Sequence, residues 1–190
     1  VSGKTIQDTS NGGTLSITAI EDTLNVDLSN ITVNTITGTL SVASANKTLG
    51  SSANLGSFVI TVSGGNTLTV DDDSTLTSGS GKFTIAENSN IQLKAIKADG
   101  ITIDGAGNVA ITNLNGDTGA LLADITATGT ISVETAADTT FTGTFPAEAF
   151  TLQSLSGNNF TVTTNNSSVI TVNKTVTLAA SVALTSPVSD

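Results

Sequence analysis

The chain has no cysteine, histidine, arginine, tryptophan, tyrosine or methionine, and only two prolines. Each absence removes a class of chemistry. Without histidine there is no Ser-His-Asp or Cys-His machinery and no imidazole-ligated metal. Without arginine there is no bidentate clamp for a carboxylate or phosphate. Without cysteine there is neither a disulfide framework nor a thiolate metal site. The clefts of polysaccharide lyases and hydrolases use aromatic rings to stack sugars and basic groups to stabilise charge. Six phenylalanines are the only rings here. A Ser-Lys dyad or a carboxylate pair stays formally open, but the expectation is a chain that is not an enzyme.

Positive charge is scarce as well. Six lysines stand against sixteen acids, for a formal net charge of −10. Such a field repels phosphate, so no nucleic-acid partner is expected. It disfavours an anionic membrane surface too. No apolar run reaches the roughly eighteen residues of a membrane span, so no membrane insertion is expected. No leader peptide is visible and the first residue is Val1, which reads as a mature or excised piece of something secreted.

What is present is small and β-branched. Apolar residues make up 37% of the chain and mean hydropathy is +0.21, too apolar for charge-driven disorder. With so few rings, the core must be narrow and built from Val, Ile, Leu and Ala. Short strand-like phrases recur about every eight to twelve residues. They include "FVITV" (58–62), "TLTV" (67–70), "KFTIA" (82–86), "TISV" (130–133), "FTGTF" (141–145), "FTVTT" (160–164), "SVITV" (168–172) and "TVTLA" (175–179). Clusters of Gly, Asn, Asp and Ser separate them, residues that tolerate positive φ or bond their own backbone. No helical stripe appears. The best candidate for a helical turn is "PAEAF" (146–150), with Pro146 at its first position.

The chain also repeats itself. "SGGNTLTV" (63–70) returns as "SGNNFTV" (156–162), "GTLSV" (38–42) as "GTISV" (129–133), and "KFTIA" as "KTVTLA" (174–179). The offset stays between about 91 and 97 residues and the order is kept, which points to two tandem units of about 95 residues, 1–98 and 99–190. The expected fold is all-β: a β-solenoid, parallel β-helix-like, built from these two repeats, with one continuous solenoid through both left open. Two tandem β-sandwich domains are the alternative. The solenoid accounts better for the ring-poor core, the lack of proline and the many Asn, Thr and Ser able to ladder between coils.

The sharpest charge cluster is Asp71, Asp72 and Asp73, a candidate calcium site, since Ca²⁺ takes six to eight oxygens. The matching stretch of the second unit, Thr163–Asn166, has lost the carboxylates, and a solvated turn is the plainer reading. Asp99, Asp104 and Asp117 lie in Gly-rich turns and are a weaker cation candidate. No other cofactor is expected. Thr-x-Thr triplets such as Thr67/Thr69 and Thr140/Thr142 raise the idea of a water-ordering face, but their irregular spacing argues against one aligned array.

The stretch from Gly107 to Phe145 and its partner near Leu15 to Leu49 resemble the repeat regions of large secreted bacterial surface proteins: S-layer proteins and giant type I-secreted adhesins. "NGGTLS" (11–16) and "GGNTLTVDD" (64–72) carry the paired glycines of the calcium-binding nonapeptide found in such proteins. They lack its third glycine and correctly spaced aspartate, so a stacked calcium roll is not supported. The resemblance implies an extracellular or cell-surface location and a structural or adhesive role. The expected function is a building block of a surface layer, fibre or adhesin stalk that self-associates through β edges. Its partners would be copies of itself or neighbouring repeats. The alternatives are a module binding a cell-surface glycan or receptor and a calcium-stabilised spacer. For the binding module, Phe145–Phe150 and Asp71–Asp73 stand out, because the two units diverge most there.

Overall fold

A computed structural model describes residues 14–19, 21–25, 27–28, 37–56, 58–76, 82–154, 160–162 and 176–178. Every strand pair in it is parallel, and each strand inside a sheet pairs with the coil before and the coil after. The chain is a three-sided β-solenoid. The first sheet stacks β1 (Thr14–Thr18), β3 (Thr37–Val42), β5 (Val59–Val62), β7 (Lys82–Ile85) and β9 (Thr102–Gly105). The second stacks β2 (Thr23–Leu24), β4 (Lys47–Leu49), β6 (Thr67–Val70), β8 (Asn90–Lys94), β10 (Asn108–Thr112), β11 (Ile131–Thr135), β13 (Phe150–Ser154) and β15 (Val176–Leu178). The third side is built mostly from single bridges, such as Asp27 to Asn54 to Thr75, with one short sheet of β12 (Thr139–Phe141) and β14 (Phe160–Val162). Tandem sandwiches are thereby overturned as the alternative, because they rest on antiparallel pairing.

The alternation read in the sequence sets the inside. In β7, Phe83 and Ile85 are buried while Lys82 is exposed and Thr84 is partly so. Pairing in register turns each inward residue into a column. Leu40, Ile60, Phe83 and Ile103 stack on the first sheet. Leu68, Ile91, Val109, Ile131 and Phe150 stack on the second. Aliphatic side chains of similar width let coils sit one strand spacing apart, about 4.8 Å. Where the stack tightens, glycine is required. Gly105 has φ +103, and a Cβ there would strike the Ile85 carbonyl in the coil beneath.

Successive coils consume between 18 and 27 residues, the shortest step being Asn90 to Asn108 and the longest Asp27 to Asn54. The first and second sheets both run unbroken across position 98, through the β7–β9 and β8–β10 pairings. The long echo is not a whole number of coils. Four coils above Leu40 the first sheet holds Ile125, whereas the echo matches Leu40 with Ile131 on the second sheet. The repeated phrases share strand vocabulary and stand on different sides of the coil.

The helical turn expected at 146–150 is absent. Phe150 opens β13, and Phe145 lies between Phe141 and Phe150 with ring centroids 4.7 and 5.0 Å away. Burial of those rings outweighs the weak local preference for a turn of helix. Among the described residues the α-helical turn that does form is α1 (Ala95–Ala98), seated by buried Ala95 and Ala98. A 3₁₀ turn follows at Leu114–Gly116. Of the expected strands, "SVITV" lies outside the described residues.

Candidate functional site

The corners of the coil carry most of the polar chemistry. There the backbone leaves the strand and its N–H groups need other partners. A side-chain oxygen from the preceding coil supplies them. Asn46 Oδ1 accepts from Thr67 N at 2.8 Å, Asp99 Oδ1 from Leu121 N at 2.8 Å, and Asn108 Oδ1 from Thr130 N at 2.9 Å. Asn25 serves Ser52 at 3.4 Å, and Asn115 serves Ala136 at 3.0 Å. The sequence marks these residues as turn formers, which predicts bonds to their own backbone. Several instead bond one coil onward.

The described lysines also tie coil to coil. Lys82 pairs with Asp104 at 2.6 Å, Lys47 with Asp22 at 3.3 Å, and Lys94 with Asp72. Lys97 Nζ donates to the Ser74 carbonyl at 2.8 Å.

The aspartate cluster is divided among separate tasks. Asp71 Oδ1 accepts from Asp73 N at 3.0 Å, closing a local turn that Ser74 Oγ seals by donating to the Asp71 carbonyl at 2.7 Å. Asp72 points to Lys94, and Asp73 is exposed. Asp99 caps Leu121, Asp104 pairs with Lys82, and Asp117 accepts from Gly119 N at 3.2 Å. Among the described residues, no three acidic side chains converge as a metal site. The Thr-x-Thr triplets fall on different sides, with Thr67 and Thr69 on the second sheet and Thr140 on the third side.

One open, shallow depression lies on the outer face of the second sheet. A trough of about 320 Å³ crosses β8, β10 and β11 between two outward columns. One wall is Asn90, Asn108 and Thr130; the other includes Ala110 and Ser132. The first wall is held in place by its own bonds. Asn90 Nδ2 donates to Thr67 Oγ1 at 3.3 Å, and Asn108 Nδ2 donates to Asn90 Oδ1 at 2.9 Å. The trough deepens at Ala110, which occupies the register position filled by Gln92 in the coil below. Sequence reasoning did not single these residues out. The available signal was Asn at the start of a second-sheet strand or just before it, at 46, 90 and 108.

Among the described residues no helix is long and apolar enough to cross a membrane. No family model, curated protein or solved structure matches the chain.

Proposed function

We propose that the chain is a non-catalytic structural segment of an extracellular assembly, a surface layer, fibre or adhesin stalk, which associates with copies of itself through its strand edges. The observation that carries this reading is the unbroken parallel stacking of eight strands in the second sheet, each coil serving as template for the next. An uncapped stack of this kind presents unpaired N–H and C=O groups on its end coils, and such groups accept another copy in the way one coil accepts the next. A negative, Cys-free, Thr-rich surface and the likeness to secreted repeat regions support the extracellular setting. The non-catalytic reading rests on residue types. The buried hydroxyl pair Thr135–Thr139, 2.6 Å apart, is held by the Asn115 carboxamide and the Ala137 carbonyl.

The test is the mass of the purified chain over a concentration series, followed by electron microscopy. Concentration-dependent growth into fibres or sheets is expected. A compact monomer at every concentration would overturn self-association.

A further inference from the structure

We propose that the trough on the second sheet is a binding site for a linear, uncharged glycan lying along the solenoid axis. The site is separate from the assembly reading above, since it uses a sheet face where assembly uses strand edges.

Four features lead there. First, the lining has no ionisable group, only amides, hydroxyls and aliphatic surface. With a net charge of −10 around it, a polyanion is repelled and a neutral polar ligand is favoured. Second, the carboxamides of Asn90 and Asn108 are already fixed by their ladder, so little side-chain entropy is lost when they bind. Each still holds a second N–H. Third, among the described residues no protein hydrogen bond occupies the hydroxyl of Thr130 or Ser132, both free to donate and accept. Fourth, these groups repeat with the coil, about 4.8 Å apart. An extended pyranose chain advances by nearly that distance per ring, so successive rings meet one polar wall residue per coil, Asn90, Asn108 and then Thr130.

A peptide fits less well. It advances about 3.3 Å per residue and alternates its faces, so neither one nor two residues match a coil. The sheet's own N–H and C=O groups beneath the trough are already paired in the β8–β10–β11 ladder, which leaves nothing for strand addition. The absence of an aromatic platform makes each contact weak, and several rings engaged at once along the three coils of the trough raise the avidity.

The experiment is a titration of the ¹⁵N-labelled full chain with cellohexaose and chitohexaose, with hexagalacturonate and a neutral hexapeptide as comparisons. Fast-exchange shifts are expected in the Asn90 and Asn108 side-chain amides and in the Thr130 and Ser132 backbone amides, with a neutral hexasaccharide only. Ala110→Gln, which fills the dip with the side chain borne by the coil below, should weaken binding about tenfold. Ser132→Ala should weaken it less, and Thr61→Ala on the first sheet should leave it unchanged. Absence of shifts with both neutral sugars, shifts centred elsewhere, equal binding by Ala110→Gln, or tighter binding of the peptide or the uronate would each overturn the proposal.

Discussion

Lys47 Nζ lies 3.3 Å from Asp22 Oδ1, and the two side chains differ sharply in exposure, 4% for the lysine and 94% for the aspartate. Lys47 stands in the inward column continued by Leu68, Ile91 and Val109. A cation therefore occupies a position that aliphatic side chains fill in the coils above. The desolvation it suffers is offset by a partner that water screens. Asp22→Asn should lower stability by about 1 kcal/mol by leaving the ammonium unpaired. Lys47→Leu, which continues the aliphatic column, should be neutral or stabilising. Urea midpoints of the two variants decide it: a Lys47→Leu loss larger than the Asp22→Asn loss would show that the pair contributes net stability.

Coil-to-coil caps should behave as hydrogen bonds to backbone. Asp99→Ala removes the acceptor of Leu121 N and is expected to cost about 1 kcal/mol, whereas Asp99→Asn keeps an oxygen there and costs less than half as much. Amide exchange at Leu121 should quicken in the alanine variant and stay near wild type in the asparagine variant.

The aliphatic columns should dominate stability. Leu68→Ala opens a void between Lys47 and Ile91 and is expected to cost about 2–5 kcal/mol by denaturant titration. Because each coil touches only its neighbours, exchange protection should fall most in the adjacent coils. Thr61→Ala, on the outer face of the first sheet, should stay within about 0.5 kcal/mol of wild type.

Trypsin has only lysines to attack. Lys47, Lys82 and Lys94 lie in strands and Lys97 in α1, each engaged with a neighbouring coil. The native chain should resist cleavage at all four and be cut there once urea unfolds it, which mass spectrometry of the fragments will read.

Calcium should matter little at Asp71–Asp73. Asp71 is occupied by its turn and Asp72 by Lys94. The melting midpoint in millimolar Ca²⁺ should match that in sodium chloride of equal ionic strength. A clear upward shift would mean that the turn reorganises around the ion.

The strands were legible because alternation is local. "KFTI" declares Phe83 and Ile85 inward without reference to any neighbour, and the shortage of rings pointed to a narrow solenoid. Register was not legible, since Leu40 could have stacked under any Val or Ile of similar width. The long echo drew attention to units of about 95 residues, while the stacked unit is the coil of 18 to 27 residues. Lys47 was hidden for a different reason: its burial depends on the coil below, and no local rule places a lysine inward. The trough was equally invisible, since it arises from Ala110 standing in register with Gln92 and Ser132, positions 18 and 22 residues away.

Parallel pairing also decides how the rod meets force. Its hydrogen bonds lie along the axis, so tension applied between the ends loads one ladder at a time, as in opening a zip. The chain should lengthen in discrete steps, each releasing a single coil of 18 to 27 residues, or about 60–90 Å of slack. A tether of this kind dissipates a pull by yielding turn after turn, and recovers by winding back onto the turns that remain.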